Sequence, residues 1–128
     1  MNPDFKTIFQ NIRSITIATV NEDGSPWVTP LLCEFTETTC SWRSPEDAIH
    51  SQNIARDPRV AISGWYEDQE TQVFEAVYIA TSARMVGDAV YSEKYGKDTV
   101  QYEAPIGAFD TKHSTENRYY FRSQEKAV

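Results

Sequence analysis

Arg43, Ser44, His50, Ser51 and Asn53 lie in one short polar stretch, Ser41 to Arg59. A guanidinium, two hydroxyls, an imidazole and a carboxamide can all donate hydrogen bonds to a single small anion such as a phosphate group. The local signals around them describe a helix. Ser44 suits the N-cap, Pro45 the first helical position, and Asp47 three residues on completes a capping-box pattern. Pro58 cannot continue a helix, so the segment is expected to close near Ala55 or Arg56. A helix N-terminus presents unpaired N–H groups and partial positive charge to an anion. Glu46 and Asp47 in the first turn would repel an anion on the helix axis, so it would be held from the side by Arg43, Ser44 and His50. A plain capped surface helix accounts for the same residues.

Other chemistries find less support. There is no Ser-His-Asp order, no carboxylate pair at a recognisable spacing, and no metal-ligand spacing among two cysteines and two histidines. Cys33 and Cys40 flank an expected hairpin turn and could face each other across it, although in an intracellular chain such a pair serves more often as small buried hydrophobes than as a disulfide.

The elements that would position the polar stretch read mainly as strands. Phe5, Ile8, Phe9 and Ile12 fall on one face of a short helix over Pro3 to Ile12. Ser14 to Val20 is a β-branched strand, Asp23-Gly24 a hairpin bend, and Trp27 to Phe35 the returning strand. Pro30 interrupts that strand, which implies an edge or a bulge and frees neighbouring backbone groups for another partner. Thr39 to Arg43 forms the third strand. Arg59 to Tyr66 looks apolar on both faces, and Val73 to Val86 is a long run expected to bend around a barrel. A short helix is expected from Asp88 to Tyr95 with Gly96 as its stop, then a loop from Lys97 to Glu116, a last strand from Asn117 to Arg122 and a tail. The sum, about six strands with two or three short helices, predicts a mainly β barrel or sandwich.

At 128 residues the chain is read as one domain over 1–128. A net charge of −7 without a basic run argues against nucleic acid, and the apolar stretches are too short for a membrane span. With no signal-peptide plan at the N-terminus, a cytoplasmic location is expected. Three Trp, seven Tyr and six Phe are many for a chain this short, and sharing a core or cleft with a second copy is the commonest way to cover them.

Ser41-Trp42-Arg43-Ser44, His50-Ser51-Gln52-Asn53-Ile54 and Asp57-Pro58-Arg59-Val60-Ala61-Ile62, together with Ile17-Ala18-Thr19-Val20 and Asp23-Gly24-Ser25-Pro26-Trp27-Val28, resemble the flavin-binding split barrels related to pyridoxamine 5′-phosphate oxidase. The resemblance runs from Ser14 to Val86 and more loosely over Asn117 to Arg122. It implies a six-stranded antiparallel split barrel forming a homodimer, with flavin mononucleotide (FMN) in clefts between subunits. The flavin ring would lie against Val28, Thr29, Pro30, Leu31, Ser41 and Trp42, and its phosphate against Arg43, Ser44, His50 and Ser51. Trp65, Tyr102 or Phe109 could come from the partner subunit. Where many relatives carry a lysine, this chain has His50, eight residues before Pro58, so flavin affinity is expected to be weaker or pH-dependent. Pyridoxal phosphate synthesis is not expected, because the chain stops soon after Arg122.

The resemblance therefore implies a flavin-dependent oxidoreductase acting on an unidentified small molecule, in which the cofactor performs the electron transfer. The alternative is a non-catalytic homodimer that holds flavin, deazaflavin or haem as a sensor or store; His113 is the remaining candidate haem ligand. A cofactor-free structural dimer is the third reading.

Overall fold

Alternation of inward apolar and outward polar residues builds most of this molecule. The computed structural model describes residues 5–107 and 111–117, the latter as backbone. Its elements are α1 (Phe5–Asn11), β1 (Ser14–Val20), β2 (Pro26–Leu32), β3 (Glu34–Phe35), β4 (Thr39–Ser44), α2 (Ile49–Arg56), β5 (Arg59–Glu67), β6 (Val73–Ser82), β7 (Arg84–Ser92), β8 (Lys97–Pro105) and β9 (Thr111–Asn117). They form a five-stranded antiparallel sheet in the order β2-β1-β5-β6-β9 and a four-stranded one in the order β3-β4-β8-β7. The mainly β split-barrel expectation holds, with nine strands among the described residues rather than six. Two sheet switches account for part of the excess. The chain leaves the first sheet at Cys33, between β2 and β3, and again at Ala83, between β6 and β7. The long run after Val73 thus breaks at Ala83, whose N–H donates to the Pro58 carbonyl at 2.8 Å, instead of bending as one strand.

The core lies between the sheets. Ile17, Ile62, Val77 and Ile79 from the five-stranded sheet share it with Cys40, Trp42, Tyr102 and Ala104 from the four-stranded one. Ile8, Phe9 and Ile12 bury the expected helix face; the side chain of Phe5 is outside the description. The β1–β2 turn closes through Asn21 and Ser25, with Gly24 at φ +87°, a conformation that favours glycine. Pro30 stands opposite Thr16 in β2, the edge strand of its sheet, where the missing N–H costs no ladder bond on the open side.

Four expectations need correction. Ser44 does not cap a helix: it ends β4, Pro45 to Asp47 form a turn, and α2 begins at Ile49 behind Ala48, which makes no side-chain cap. The Ser44 hydroxyl is instead bonded to the His50 ring. The helix expected from Asp88 is β-strand up to Ser92, followed by a turn in which the Gly96 N–H donates to the Ser92 carbonyl. The loop expected after Lys97 holds β8 and β9, and β8 pairs on both sides, with β4 and with β7. Tertiary pairing decided these segments over local signals. β5 also differs: Val60, Ile62 and Gly64 are buried, while Arg59, Ala61 and Trp65 on the other face are exposed. Of the strand expected over Asn117 to Arg122, all but Asn117 lies outside the described residues, as does Phe109.

Candidate functional site

The period of two along β4 decides where the polar stretch points. Cys40, Trp42 and Ser44 face inward and are buried, whereas Ser41 and Arg43 face outward. The anion-binding set proposed from spacing therefore divides between two faces. Outside, Ser41, Trp42 and Arg43 line a cleft of about 310 Å³ together with Leu32, Cys33, Glu34 and Gln101. This cleft sits where β2 passes into β3 and the four-stranded sheet begins. Glu34 stands opposite Ser41, and Gln101 opposite Arg43. The Arg43 guanidinium is held along β8, Nε donating to Thr99 Oγ1 at 3.2 Å and Nη2 to the Thr99 carbonyl at 2.8 Å. Two of its five N–H groups are thereby used, and the cation is fixed in position with the rest free to take an acceptor.

Inside, the Ser44 Oγ and His50 Nε2 are 2.8 Å apart, and both residues are buried. Burial pushes the His50 pKa down, which keeps the imidazole neutral near pH 7. Ser51 is 2% exposed, and its hydroxyl has no hydrogen-bond partner among the described residues, nor does the indole N–H of buried Trp42. Asn53 does not turn toward this group: its Nδ2 donates to Thr19 Oγ1 (3.0 Å) and Asn21 Oδ1 (2.9 Å), and its Oδ1 accepts from Arg56 (3.2 Å). It fastens α2 to the first hairpin.

The ring-facing residues divide the same way. In β2, Leu31 is buried and Thr29 half-buried on the inner side, while Val28 and Pro30 are outward. Val28 is 62% exposed and Leu32, at the rim of the cleft, 65%. Residue-type spacing missed Glu34 and Gln101. The first reads as the end of a strand, and the second lies in a segment with weak local signals; the register of β4 with β8 is what brings it in. Among the described residues, no group of three or more His, Cys, Asp or Glu could hold a metal ion. No helix among them is long and apolar enough to cross a membrane. His113 sits in β9 opposite Val77 rather than in a loop.

Similarities to known proteins follow the fold. The structure resembles that of an FAD-binding protein from Mesorhizobium loti (TM-score 0.70, 13% identity, covering 88% of this chain and 92% of that one). It also resembles the haem storage protein HutZ from Vibrio cholerae (0.66, 17%, 90% and 94%) and an F420 reductase (0.66, 15%, 89% and 98%). At these identities the likeness concerns the fold. No curated protein matches the sequence. The profile of one protein family, described as pyridoxamine 5′-phosphate oxidase, matches residues 1–122. With that match spanning nearly the whole sequence over the split-barrel fold described above, the chain belongs to the pyridoxamine 5′-phosphate oxidase family.

Proposed function

We propose that residues 1–128 form one FMN-binding domain, that two copies assemble as a homodimer, and that the protein is a flavin-dependent oxidoreductase acting on a small molecule. The observation that carries this reading is the cleft at the β2–β3 switch. It places a fixed cation, Arg43, and a hydroxyl, Ser41, beside an exposed apolar strand edge ending in Leu32. These residues fit the cofactor. Arg43 and Ser41 would take the phosphate, with Gln101 as a further donor, and the unpaired edge of β2 from Val28 to Leu32 would receive the flat ring through backbone groups. When bound, the flavin supplies the acceptor for a hydride or an electron pair. The protein's own residues then bind, orient and exclude water. Ser44, His50 and Ser51 support the site from behind β4, keeping its last residue in place.

At about 310 Å³ the cleft stands at the lower end of small-molecule pockets, too small to enclose a flavin alone. A second copy would supply the missing wall. The outward face of the five-stranded sheet suits that role. Thr16, Ala18, Val28, Pro30, Ala61, Ser63, Trp65 and Tyr78 lie on it by register and alternation, and their rows across β2, β1, β5 and β6 carry no charge, with Lys112 opposite Tyr78 in β9, in a chain of net charge −7. An uncharged patch lets two acidic chains meet without like-charge repulsion.

The test is the visible spectrum of the purified protein, followed by titration with FMN monitored by flavin and tryptophan fluorescence. Flavin bands, or saturable quenching near one flavin per chain, are expected. Arg43→Ala should weaken binding about tenfold to a hundredfold, the worth of a charge-assisted hydrogen bond. Reduction of the bound flavin by NADH or NADPH and reoxidation by air would show turnover. Saturable binding without reduction would leave a flavin-holding protein, and no binding would remove the cofactor.

A further inference from the structure

Nothing in the flavin reading uses the two cysteines, yet their placement is specific. Cys33 occupies the break between β2 and β3, lines the cleft and is half-buried; Cys40 in β4 is fully buried. Phe35 pairs with Cys40, and Cys33, two residues before Phe35, stands diagonal to Cys40 where the core meets the cleft. The side chains are close enough for a sulfur–sulfur hydrogen bond to shift the ionisation of both, and both thiols are free. We propose that Cys33 and Cys40 form a dithiol site for thiol–disulfide exchange, with Cys33 attacking small disulfides that enter the cleft and Cys40 resolving the mixed disulfide.

The division of labour follows from exposure and from the hydrogen bond. Only Cys33 meets the cleft, so only it can reach an external sulfur. The bond from the Cys40 S–H lowers the Cys33 pKa, outweighing burial and the nearby Glu34 carboxylate, which both raise it. Cys40 is raised, first by donating that bond, then by burial and by the charge of Cys33, so it stays protonated while Cys33 is free. In the first step the Cys33 thiolate attacks one sulfur of the incoming disulfide. The external S–S bond breaks, a mixed disulfide forms, and one thiol departs with the proton of Cys33. In the second, the Cys40 sulfur attacks the Cys33 sulfur, and the other external thiol departs with the proton of Cys40. Two electrons pass from the dithiol to the disulfide, which leaves as two thiols. Closure needs the sulfurs to approach to about 2.05 Å; Cys33 lies between strands, outside the β3–β4 ladder, with its N–H bonded to the Arg13 carbonyl at 2.9 Å.

Oxidised glutathione is the probe. Folded protein is incubated with it in excess, quenched in acid and analysed by thiol titration and intact mass, with a non-reducing peptide map. The expected result is loss of both thiols together, a protein two hydrogens lighter, and a peptide linking Cys33 to Cys40. Cys40→Ser should stop at one glutathione per chain on Cys33, and Cys33→Ser should leave Cys40 unmodified over the same time. If Cys40→Ser fails to fold, the wild-type map and the Cys33→Ser time course decide alone. Thiols that persist in the folded wild type, an adduct that accumulates without the internal bridge, or Cys40 reacting in Cys33→Ser would each overturn the proposal. FMN and the disulfide would enter the same cleft, so the assay uses protein whose visible spectrum shows no flavin; failure here and failure of FMN binding are then separate results.

Discussion

His50 shows how a residue chosen for its charge can end in a place that forbids charge. It is 7% exposed, bonded to Ser44 at 2.8 Å, and its pKa is lowered by burial from an ordinary value of 6.5. In a relative with lysine at this position the cation would have to reach past β4; a neutral imidazole instead packs behind it. The sign of the pH effect follows. The unfolded chain takes up the proton near pH 6.5, before the folded one does, so the neutral-His50 contribution to stability is complete above that pH and is lost as pH falls through the lower folded value. The thermal midpoint is therefore expected to decline below about pH 6.5, and His50→Gln, which keeps a hydrogen-bonding side chain without the titration, should flatten that limb. Asp57 does not confuse the reading. The Arg59 side chain and N–H hold its pKa down at about 2, so its contribution is present above the usual value of 3.8 and fades only between there and about 2. Equal slopes for wild type and His50→Gln between pH 7 and 5 would show that His50 does not titrate with unfolding.

At the scale of elements, α2 is a short helix with no side-chain cap, so its position depends on what it touches. Ile54 enters the core, and Asn53 ties the helix to β1 and its turn. Asn53→Ala removes both bonds and leaves the Thr19 hydroxyl, 2% exposed, without its Asn53 donor. The expected cost is about 1–3 kcal/mol, read as a lower urea midpoint at unchanged slope. No change in midpoint would mean that Ile54 alone seats the helix. The same element marks what could be read in advance. Its end at Arg56 was legible because proline is a covalent constraint, and β1 was legible from β-branched alternation. The start was not, because a Ser-Pro-x-Asp pattern fits a cap equally well when the serine belongs to a strand and bonds elsewhere. In β8 the alternation of Val100, Tyr102 and Ala104 with Gln101, Glu103 and Pro105 was present but masked by weak neighbouring signals. Missing it lost Gln101 from the site. Which face of β4 each polar residue takes is fixed by one register, and spacing alone does not reveal it.

For the whole molecule, the question is why a chain this acidic leaves the middle of one sheet face, across β2, β1, β5 and β6, without charge. Trp65 and Tyr78 are 60% and 49% exposed there, and Val28 62%, on strands whose inward residues Leu31, Ile62, Val77 and Ile79 sit in the core. Large apolar side chains left open across adjacent strands are costly to solubility unless covered. A twofold pairing of this face would bury Val28, Trp65 and Tyr78 of both copies at once. Tyr78→Lys separates the interface from the fold. The position is half open to solvent, so the monomer should stay folded, whereas a twofold contact would set two buried lysines near each other. Light scattering after size exclusion should give a dimer mass for wild type and a monomer mass for Tyr78→Lys, with near-identical circular dichroism. If the second copy completes the cleft, FMN affinity should fall with the dimer even though Tyr78 is not among the residues lining it. A monomer that keeps full affinity would place the whole flavin site within one chain. A Tyr78→Lys dimer would move the contact to another surface.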